Sequence, residues 1–255
     1  AEDKAAEFGY IEIQNVTTQY GVFAIAGPKS RDVLKELIKD ADPESALSNK
    51  RFPWLSAQRI ELGMCPVDAI RVAYTGELGW ELHHPIEMQR YLWDQLMAAG
   101  AKHGLKLVGA RAQNWLRQEK SYRAFGTELG RDATPLEADL PRFVDLSKDF
   151  HGKAAMEATG IRSKCVTVLI DGPADADPWG KEALIDPATG AKVGRLTSGG
   201  YSVVFGKQIG MGYVSVEKAE VGTKLKVRMM RELWDAEVVQ DSPYDPANAN
   251  IRVDG

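Results

Sequence analysis

The C-terminal third of the chain has a residue pattern that suits a β-rich domain and does not suit a helical one. From Val166 onward, short β-prone runs alternate with clusters of glycine, proline and aspartate, and no run shows a convincing helical period. The runs cover residues 166–170, 192–197, 209–216, 224–230 and 236–239. The simplest architecture for such a series of short strands is a small closed β-barrel or roll.

The part of the chain before this region mixes strand and helix patterns. Alternation predicts strands at 11–16 and 20–26, and Gly27-Pro28 then ends the sheet ahead of an amphipathic helix through Val33 and Ile38. A polar, proline-containing connection over 40–50 marks a lobe boundary near residue 50. Further strands are predicted at 59–62, 66–74 and 80–83, and helices at 86–99, ended by Gly100, and at 110–122. The pattern is that of an α+β fold up to about residue 156.

Charge and cysteine content exclude several classes of function. The 32 basic and 36 acidic residues give a net charge of −4 without a dense Lys/Arg run, so no nucleic-acid partner is expected. The two cysteines, Cys65 and Cys165, are far apart and have no metal-ligand spacing, which indicates neither a disulfide framework nor a metal site. We therefore expect a protein of a reducing compartment.

The ends and the hydropathy of the chain bear on localisation. No apolar stretch approaches the ~18 residues that span a bilayer, and the charged, helix-prone residues 1–7 do not resemble a signal peptide. We expect a protein without a membrane partner that is cytoplasmic, or located in the mitochondrial matrix if eukaryotic. The chain begins at Ala1 rather than Met, which suggests that it derives from a longer polypeptide.

The densest group of chemically informative residues lies between Arg71 and Leu82, where two glycines form a tight turn flanked by Glu77 and Glu81. On a strand, Glu81 and His83 point to the same face. An enclosed carboxylate at Glu81 would suit a planar ligand edge with two adjacent N–H donors. Residue statistics alone favour the simpler interpretation, in which Glu81 is a solvated strand residue.

A second group lies on the helix predicted at 110–122. Its charged residues are explained by surface ion pairing, with Glu119 and Arg123 spaced as an i, i+4 pair. Tyr122 and Phe125 near its end are either core aromatics or a stacking wall for a flat ring, and core is the simpler choice. The chain has no dinucleotide fingerprint, no phosphate-binding loop and no G-x-S-x-G motif. The residues alone therefore indicate no flavin or nucleotide site in this chain.

Seven strings, taken in order, resemble the aminomethyltransferase (glycine-cleavage T-protein) family, a folate-binding family. Within it, Phe52-Pro-Trp, Gly79-Trp-Glu and Glu119-Lys look most like the folate domain fused to dimethylglycine and sarcosine dehydrogenases. The strings cover essentially the whole chain, and together they are far more specific than any one. They are VFAIAGPKS (22–30), YTGELGWE (74–81), LRQEK (116–120), TPLEA (134–138), KDFHG (148–152), TSGGY (197–201) and GKQIGMG (206–212).

The resemblance implies a fold and a set of tetrahydrofolate-binding residues. The family fold is three-lobed with a C-terminal β-barrel, so residues 1–50 correspond to the remainder of the middle α+β lobe, 51–156 to the folate-binding lobe and 157–255 to the barrel. Glu81 matches the glutamate that holds the pteridine ring, whose N3–H and 2-amino group form the paired donor edge that a carboxylate accepts. Tyr74 and Tyr122 match tyrosines of the same site, so the stacking interpretation of Tyr122 replaces the core one.

The chain departs from the family pattern in two places. Gln113 stands where the family has an arginine, and Arg111, two residues earlier, is the candidate to serve in its place. The family's first segment, with the aspartate that positions folate N10, has no match here. We therefore identify no catalytic residue and no metal ligand in this chain, and five cofactor-binding candidates: Glu81, Tyr74, Tyr122, Arg111 and Gln113.

The function implied is that of a one-carbon transfer module in an N-methylamine demethylating enzyme, which captures the oxidised methyl group as 5,10-methylenetetrahydrofolate. FAD is expected on a flavoprotein subunit or on an absent N-terminal part, which would also receive the amine. Two alternatives stay open. One is a folate-dependent demethylase of a sulfonium compound, an aryl ether or trimethylamine oxide; the other is a non-catalytic folate-binding or structural subunit.

Overall fold

The computed structural model describes residues 11–173 and 175–254, which form two compact units. The first unit contains the chain up to Ala73, together with Leu78–Lys106 and the residues from Arg252 onward. The second contains Tyr74–Glu77 and Leu107–Ile251. The turn that follows Ala73 is thus a separate contribution of the N-terminal half to the second unit.

The first unit is built on a four-stranded antiparallel sheet of order β1-β4-β3-β2. Its register aligns Ala24 of β1 with Glu81 of β4 and Ile70 of β3. Because successive side chains of a strand point to opposite faces, the sheet has a buried face, with Trp80 and Leu82, and a more exposed face, with Glu81 and His83. The strands are β1 (Tyr20–Ala26), β2 (Ala57–Leu62), β3 (Cys65–Ile70) and β4 (Gly79–Pro85).

Helices supply the rest of the core of the first unit. Leu34 of α1 and Leu92 of α3 are fully buried in one cluster with Trp80 and Leu82 of the sheet. The long helix α3 ends at Gly104, whose left-handed backbone (φ 74°) suits a glycine C-cap. In the described part of this unit the helices are α1 (Ser30–Lys35), α2 (Pro43–Ala46) and α3 (Gln89–His103), with a 3₁₀ turn at Ile86–Met88.

The second unit contains a closed antiparallel barrel of six strands in the order β10-β5-β8-β7-β6-β9. Its interior is filled by branched aliphatic side chains, among them Val168, Leu184 and Val227, all with no exposed surface. The strands are β5 (Ser163–Ile170), β6 (Ala183–Ile185), β7 (Lys192–Ser202), β8 (Lys207–Ser215), β9 (Lys224–Met229) and β10 (Glu232–Val239). The barrel predicted from the spacing of short strands is confirmed.

Two helices accompany the barrel, α4 (Ala110–Glu119) and α5 (Lys153–Thr159). Helix α4 packs on β7, where the absence of a side chain at Gly200 admits the indole of Trp115: a Cβ at residue 200 would lie 2.2 Å from Trp115 Cδ1. Among the described residues, no helix is long and apolar enough to cross a membrane.

Several element predictions need correction. Residues 11–16 alternate like a strand but lie in irregular, exposed chain, because they pair with no neighbouring strand. Gly100 does not end its helix; it lies inside α3, where its bare Cα admits Leu105. The strand predicted at 66–74 ends at Ile70, and the connection at 40–50 contains the short helix α2. The helix-prone residues 1–7 lie outside the described part, and the division at residues 50 and 156 stays a prediction.

Candidate functional site

Two tyrosine rings predicted to belong to a folate site lie side by side in the second unit. The centroids of Tyr74 and Tyr122 are 5.9 Å apart and their planes are inclined by only 15°. The Tyr74 hydroxyl donates a hydrogen bond to the carbonyl oxygen of Arg123 (2.9 Å), which fixes one ring against the turn that carries the other. Both rings are half-buried, and burial raises the pKa of both phenols. The pair is a preformed, uncharged aromatic surface.

A buried ion pair anchors the last turn of helix α4. Arg117 and Glu128 are 3% and 0% exposed, and Nη1 of Arg117 donates to Glu128 Oε2 at 2.9 Å. The same guanidinium donates to the carbonyl oxygen of Tyr122 at 2.7 Å and to the Ser198 hydroxyl of the barrel at 2.7 Å. Burial alone raises the pKa of Glu128, but the Arg117 charge and hydroxyl donors lower it overall. Glu128 is therefore ionised at neutral pH, and its partner positions the backbone of Tyr122.

This arrangement corrects the prediction of surface ion pairing on the helix. The helix stops at Glu119, so Arg123 lies beyond it and pairs with Asp241 instead (2.7 Å). The Glu119 carboxylate is buried and accepts from the hydroxyl of Ser202. Lys120 is also buried, at 1% exposure. The charged residues near the end of α4 are interior anchors, because the barrel offers them partners that the sequence spacing does not reveal.

Two further cofactor-binding candidates, Arg111 and Gln113, lie at the opposite end of α4 from Tyr122. About 12 Å of helix separates residue 111 from residue 119 at ~1.5 Å per residue. The Arg111 guanidinium is ion-paired with Asp177 and lies over the rings of Trp115 and Trp179, at 5.5 and 6.0 Å. Gln113 is exposed two positions further on, on a different face of the helix.

The fifth candidate, Glu81, lies in the first unit on the more exposed face of the sheet. Its side chain is 43% exposed, and its Oε2 lies 3.3 Å from Nε2 of His83. The prediction that Glu81 and His83 share a face is confirmed, and Trp80 and Leu82 are buried on the other face. The imidazole contacts one oxygen of the Glu81 carboxylate, and the carboxylate remains half-exposed.

The structure thus brings Tyr74 and Tyr122 together and places Arg111 and Gln113 in the first turn of α4, at the end of the helix opposite Tyr122. Sequence reasoning missed the anchors beneath the pair, Arg117 and Lys120, because a buried charge carries no sequence signal of its own. Among the described residues, no group of three or more His, Cys, Asp or Glu side chains is placed to hold a metal ion.

Comparison with known proteins assigns both parts of the chain. Residues 2–148 match the GCVT N-terminal domain, and residues 164–245 match the glycine cleavage T-protein C-terminal barrel domain. The aminomethyltransferase T of the glycine cleavage system from Bartonella henselae superposes with a TM-score of 0.74 at 23% identity, over 89% of this chain and 60% of that one. This solved structure shows that the fold is the aminomethyltransferase fold.

Curated relatives are of two kinds. Mitochondrial dimethylglycine dehydrogenase of Mus musculus is 39% identical over the whole of this chain, which matches only 29% of the length of that protein. Mitochondrial sarcosine dehydrogenase of the same organism is 33% identical over 94% of this chain and 27% of its own length. An aminomethyltransferase of Caldanaerobacter subterraneus is 32% identical over 92% of this chain and 61% of its own. The chain thus spans under a third of the dehydrogenases and under two thirds of the aminomethyltransferase. The chain belongs to the glycine-cleavage T-protein family of tetrahydrofolate-binding, one-carbon transfer proteins.

Proposed function

We propose that this chain is the tetrahydrofolate-binding one-carbon transfer module of an N-methylamine demethylating enzyme of the dimethylglycine or sarcosine type. The observation that carries the proposal is the Tyr74–Tyr122 pair, whose rings lie nearly parallel at 5.9 Å and are anchored by the bond from the Tyr74 hydroxyl to the Arg123 carbonyl oxygen. A flat pteridine ring gains most from aromatic side chains that need no reordering on binding. The identity to dimethylglycine dehydrogenases over the whole chain supports the choice of substrate class.

The chemistry of the candidate residues fits a reduced folate. Glu81 supplies a carboxylate that accepts two adjacent N–H donors, as on the pteridine edge, and His83 orients it from 3.3 Å. Tyr74 and Tyr122 supply neutral phenols with apolar faces. Bound tetrahydrofolate would supply N5 and N10, which would take up the one-carbon unit of formaldehyde or of an imine as the methylene bridge of 5,10-methylenetetrahydrofolate, with release of water or of the amine.

Arg111 and Gln113 are proposed for the anionic tail of the folate. Arg111 provides the positive charge that Gln113 lacks, although its guanidinium is paired with Asp177. Binding of a carboxylate there would exchange one anionic partner for another, so we expect only a modest contribution from Arg111. The guanidinium also lies over the rings of Trp115 and Trp179, at 5.5 and 6.0 Å from their centroids.

The oxidation step is assigned to a flavoprotein partner or to a further part of the polypeptide that carries FAD. The relatives named dimethylglycine and sarcosine dehydrogenase are more than three times as long as the region they share with this chain. A flavin absorption band, or a heavier companion chain in material isolated from its source, would support this coupling. Isolation of the chain without either from active cells would count against it.

The binding proposal is tested by titrating the chain with tetrahydrofolate under anaerobic conditions in a calorimeter. Glu81→Gln replaces one acceptor oxygen by an amide donor that faces the donors of the ring, and it should weaken binding by about 1 to 3 kcal/mol. Glu61→Gln is the matched control, because Glu61 is an exposed carboxylate on the same face of the same sheet. Equal affinity for the two variants would remove Glu81 from the site.

A further inference from the structure

A segment near the C-terminus lies against the two turns that carry the tyrosine pair. Residues 241–251, called here the C-terminal strap, follow the last barrel strand and form neither helix nor strand. The backbone N–H of Tyr244 donates to the carbonyl oxygen of Glu119 at 2.9 Å, and the N–H of Ser242 donates to the Ser121 hydroxyl at 2.9 Å. The strap thus lies alongside residues 119–121, which connect the end of α4 to Tyr122.

Lys120 ties the strap to the turn that carries Tyr74. Its ammonium donates to the carbonyl oxygens of Tyr244 (3.0 Å) and Asp245 (2.6 Å) and to Oδ1 of Asn248 (2.9 Å). Its aliphatic stem packs on Gly76, where a Cβ would lie 2.4 Å from Lys120 Cγ. Gly76 also has a left-handed backbone, with φ at 81°. One buried side chain therefore contacts both the strap and the 74–77 turn.

Tyr244 makes the second connection to the same turn. Its hydroxyl donates to Glu77 Oε1 at 2.6 Å and accepts from Nδ2 of Asn250 at 2.7 Å. The bond to the Glu77 carboxylate, together with burial, raises the pKa of Tyr244 to about 12. The phenol accordingly stays a donor throughout the physiological pH range. Glu77 lies three residues from Tyr74, so this bond restrains the turn directly.

The backbone of the strap is held in an unfavourable shape by these contacts. Ser242, Asp245 and Asn248 all have left-handed backbones, with φ of 55°, 44° and 57°. Aspartate and asparagine tolerate this conformation better than other side chains, whereas at Ser242 it costs free energy that the surrounding contacts offset. The Asp245 carboxylate contributes by accepting the backbone N–H groups of Ala249 and Asn250 at 2.9 and 3.0 Å.

We propose that Lys120, Glu77 and Tyr244 are positioning residues that hold Tyr74 and Tyr122 in the stacked arrangement required for tetrahydrofolate. The role in folate binding rests on the proposed function. The positioning role itself concerns only contacts within the second unit. Neither Lys120 nor Tyr244 touches the ligand in this assignment; both act through the backbone of the two turns.

The positioning role is tested without ligand by ¹⁹F NMR of the full chain labelled with 3-fluorotyrosine. The Tyr74 and Tyr122 signals are assigned by their loss in the Tyr→Phe variants. Lys120→Met and Tyr244→Phe should shift or broaden both signals, because the turns gain freedom. The matched control, Lys224→Met, removes an exposed lysine from a surface pair with Glu237 and should leave both signals unchanged. Unchanged signals in Tyr244→Phe and in folded Lys120→Met would overturn the proposal.

The folate role is tested by calorimetric titration of tetrahydrofolate with three variants of the 74–77 turn and its partner. Tyr244→Phe and Glu77→Leu should each weaken binding by about tenfold, the equivalent of one lost hydrogen bond. Glu77→Gln keeps an acceptor oxygen for the Tyr244 hydroxyl and should restore near-parental affinity, which general destabilisation would not do. Binding that is equal in all variants overturns the folate role of the strap but leaves the proposed function intact. A folded parent that fails to bind refutes the proposed function, while the NMR result still decides the positioning role.

Discussion

Replacement of Arg117 by methionine tests the central anchor of the second unit. Methionine keeps much of the length of the arginine stem but removes the cation that faces the Glu128 carboxylate at 2.9 Å. It also removes the donors to the Tyr122 carbonyl and the Ser198 hydroxyl. The variant therefore leaves a carboxylate with no exposed surface and no countercharge.

The expected cost follows from the burial of this pair. Loss of one partner from a buried ion pair typically destabilises a protein by about 3–5 kcal/mol. Glu128 retains hydrogen bonds from the Ala124 backbone N–H (2.9 Å) and from the hydroxyls of Thr127 and Thr197 (2.8 and 2.7 Å), which still solvate the charge. We therefore expect the lower part of that range, about 3 kcal/mol, at neutral pH.

The pH dependence has a definite sign. In the parent the pKa of Glu128 is lowered, so the ionised carboxylate stabilises the fold at every pH above the ordinary carboxyl pKa. That stabilisation is lost as the pH falls through the folded-state pKa of Glu128. In Arg117→Met the effect of burial dominates and raises that pKa, so protonation relieves the buried charge in mild acid. The difference in free energy of unfolding between the parent and Arg117→Met should therefore shrink as the pH is lowered.

Urea unfolding followed by circular dichroism, with parent, Arg117→Met and Arg117→Met/Glu128→Gln compared at neutral and mildly acidic pH, measures both effects. The double variant should be more stable than the single one at neutral pH, because a neutral amide replaces the unpaired charge. A single variant within about 1 kcal/mol of the parent, or a deficit independent of pH, would show that the pair is not the anchor described here.

Three further outcomes are expected from other parts of the structure. The pKa of Glu137 is lowered to about 2, chiefly by its hydrogen bond from Arg162, so its contribution to stability is present above the ordinary carboxyl pKa and is lost as the pH falls toward 2. Glu137→Gln should therefore make the Tm depend less steeply on pH in acid solution. Gly200→Ala places a methyl group 2.2 Å from Trp115 Cδ1 and should lower stability by about 1–3 kcal/mol, measured as a lower Tm, and an unchanged Tm would contradict the packing of α4 on β7. Both free cysteines are buried, and burial raises the pKa of Cys165 to about 12, so neither thiol should react with Ellman's reagent until the chain is unfolded in denaturant.

Much of the fold could be predicted because its signals are local. The barrel follows from strand-length runs separated by turn residues, and the turn at Gly63 between β2 and β3 has the left-handed backbone, with φ at 60°, that glycine accommodates. The strand predicted at 11–16 failed because alternation reports amphipathicity but not the presence of a neighbouring strand to pair with. The helix end predicted at Gly100 was wrong because this glycine, inside the helix, permits a close contact with Leu105 and does not form a C-cap.

The candidate site was only partly predictable for a related reason. Tyr74 and Tyr122 are 48 positions apart, and no spacing rule indicates that their rings stack; the family resemblance alone pointed to both. The buried charges near the end of α4 have distant partners: Glu128 lies 11 positions from Arg117, and Asp245 and Asn248 lie 125 and 128 positions from Lys120. Long-range partners of this kind are set by the packing of the barrel and its strap, which a periodicity in the sequence does not encode.

Binding of tetrahydrofolate at the tyrosine pair is the property on which the proposed function depends most directly. The measurement that tests it is an anaerobic titration of the full chain and of Tyr122→Leu with tetrahydrofolate, with folding of both checked by circular dichroism. We expect the parent to bind one equivalent saturably and the variant to lose about 1–3 kcal/mol of binding free energy, as for removal of a stacking aromatic. Equal affinity of the two folded chains, or no saturable binding by the folded parent, would contradict it.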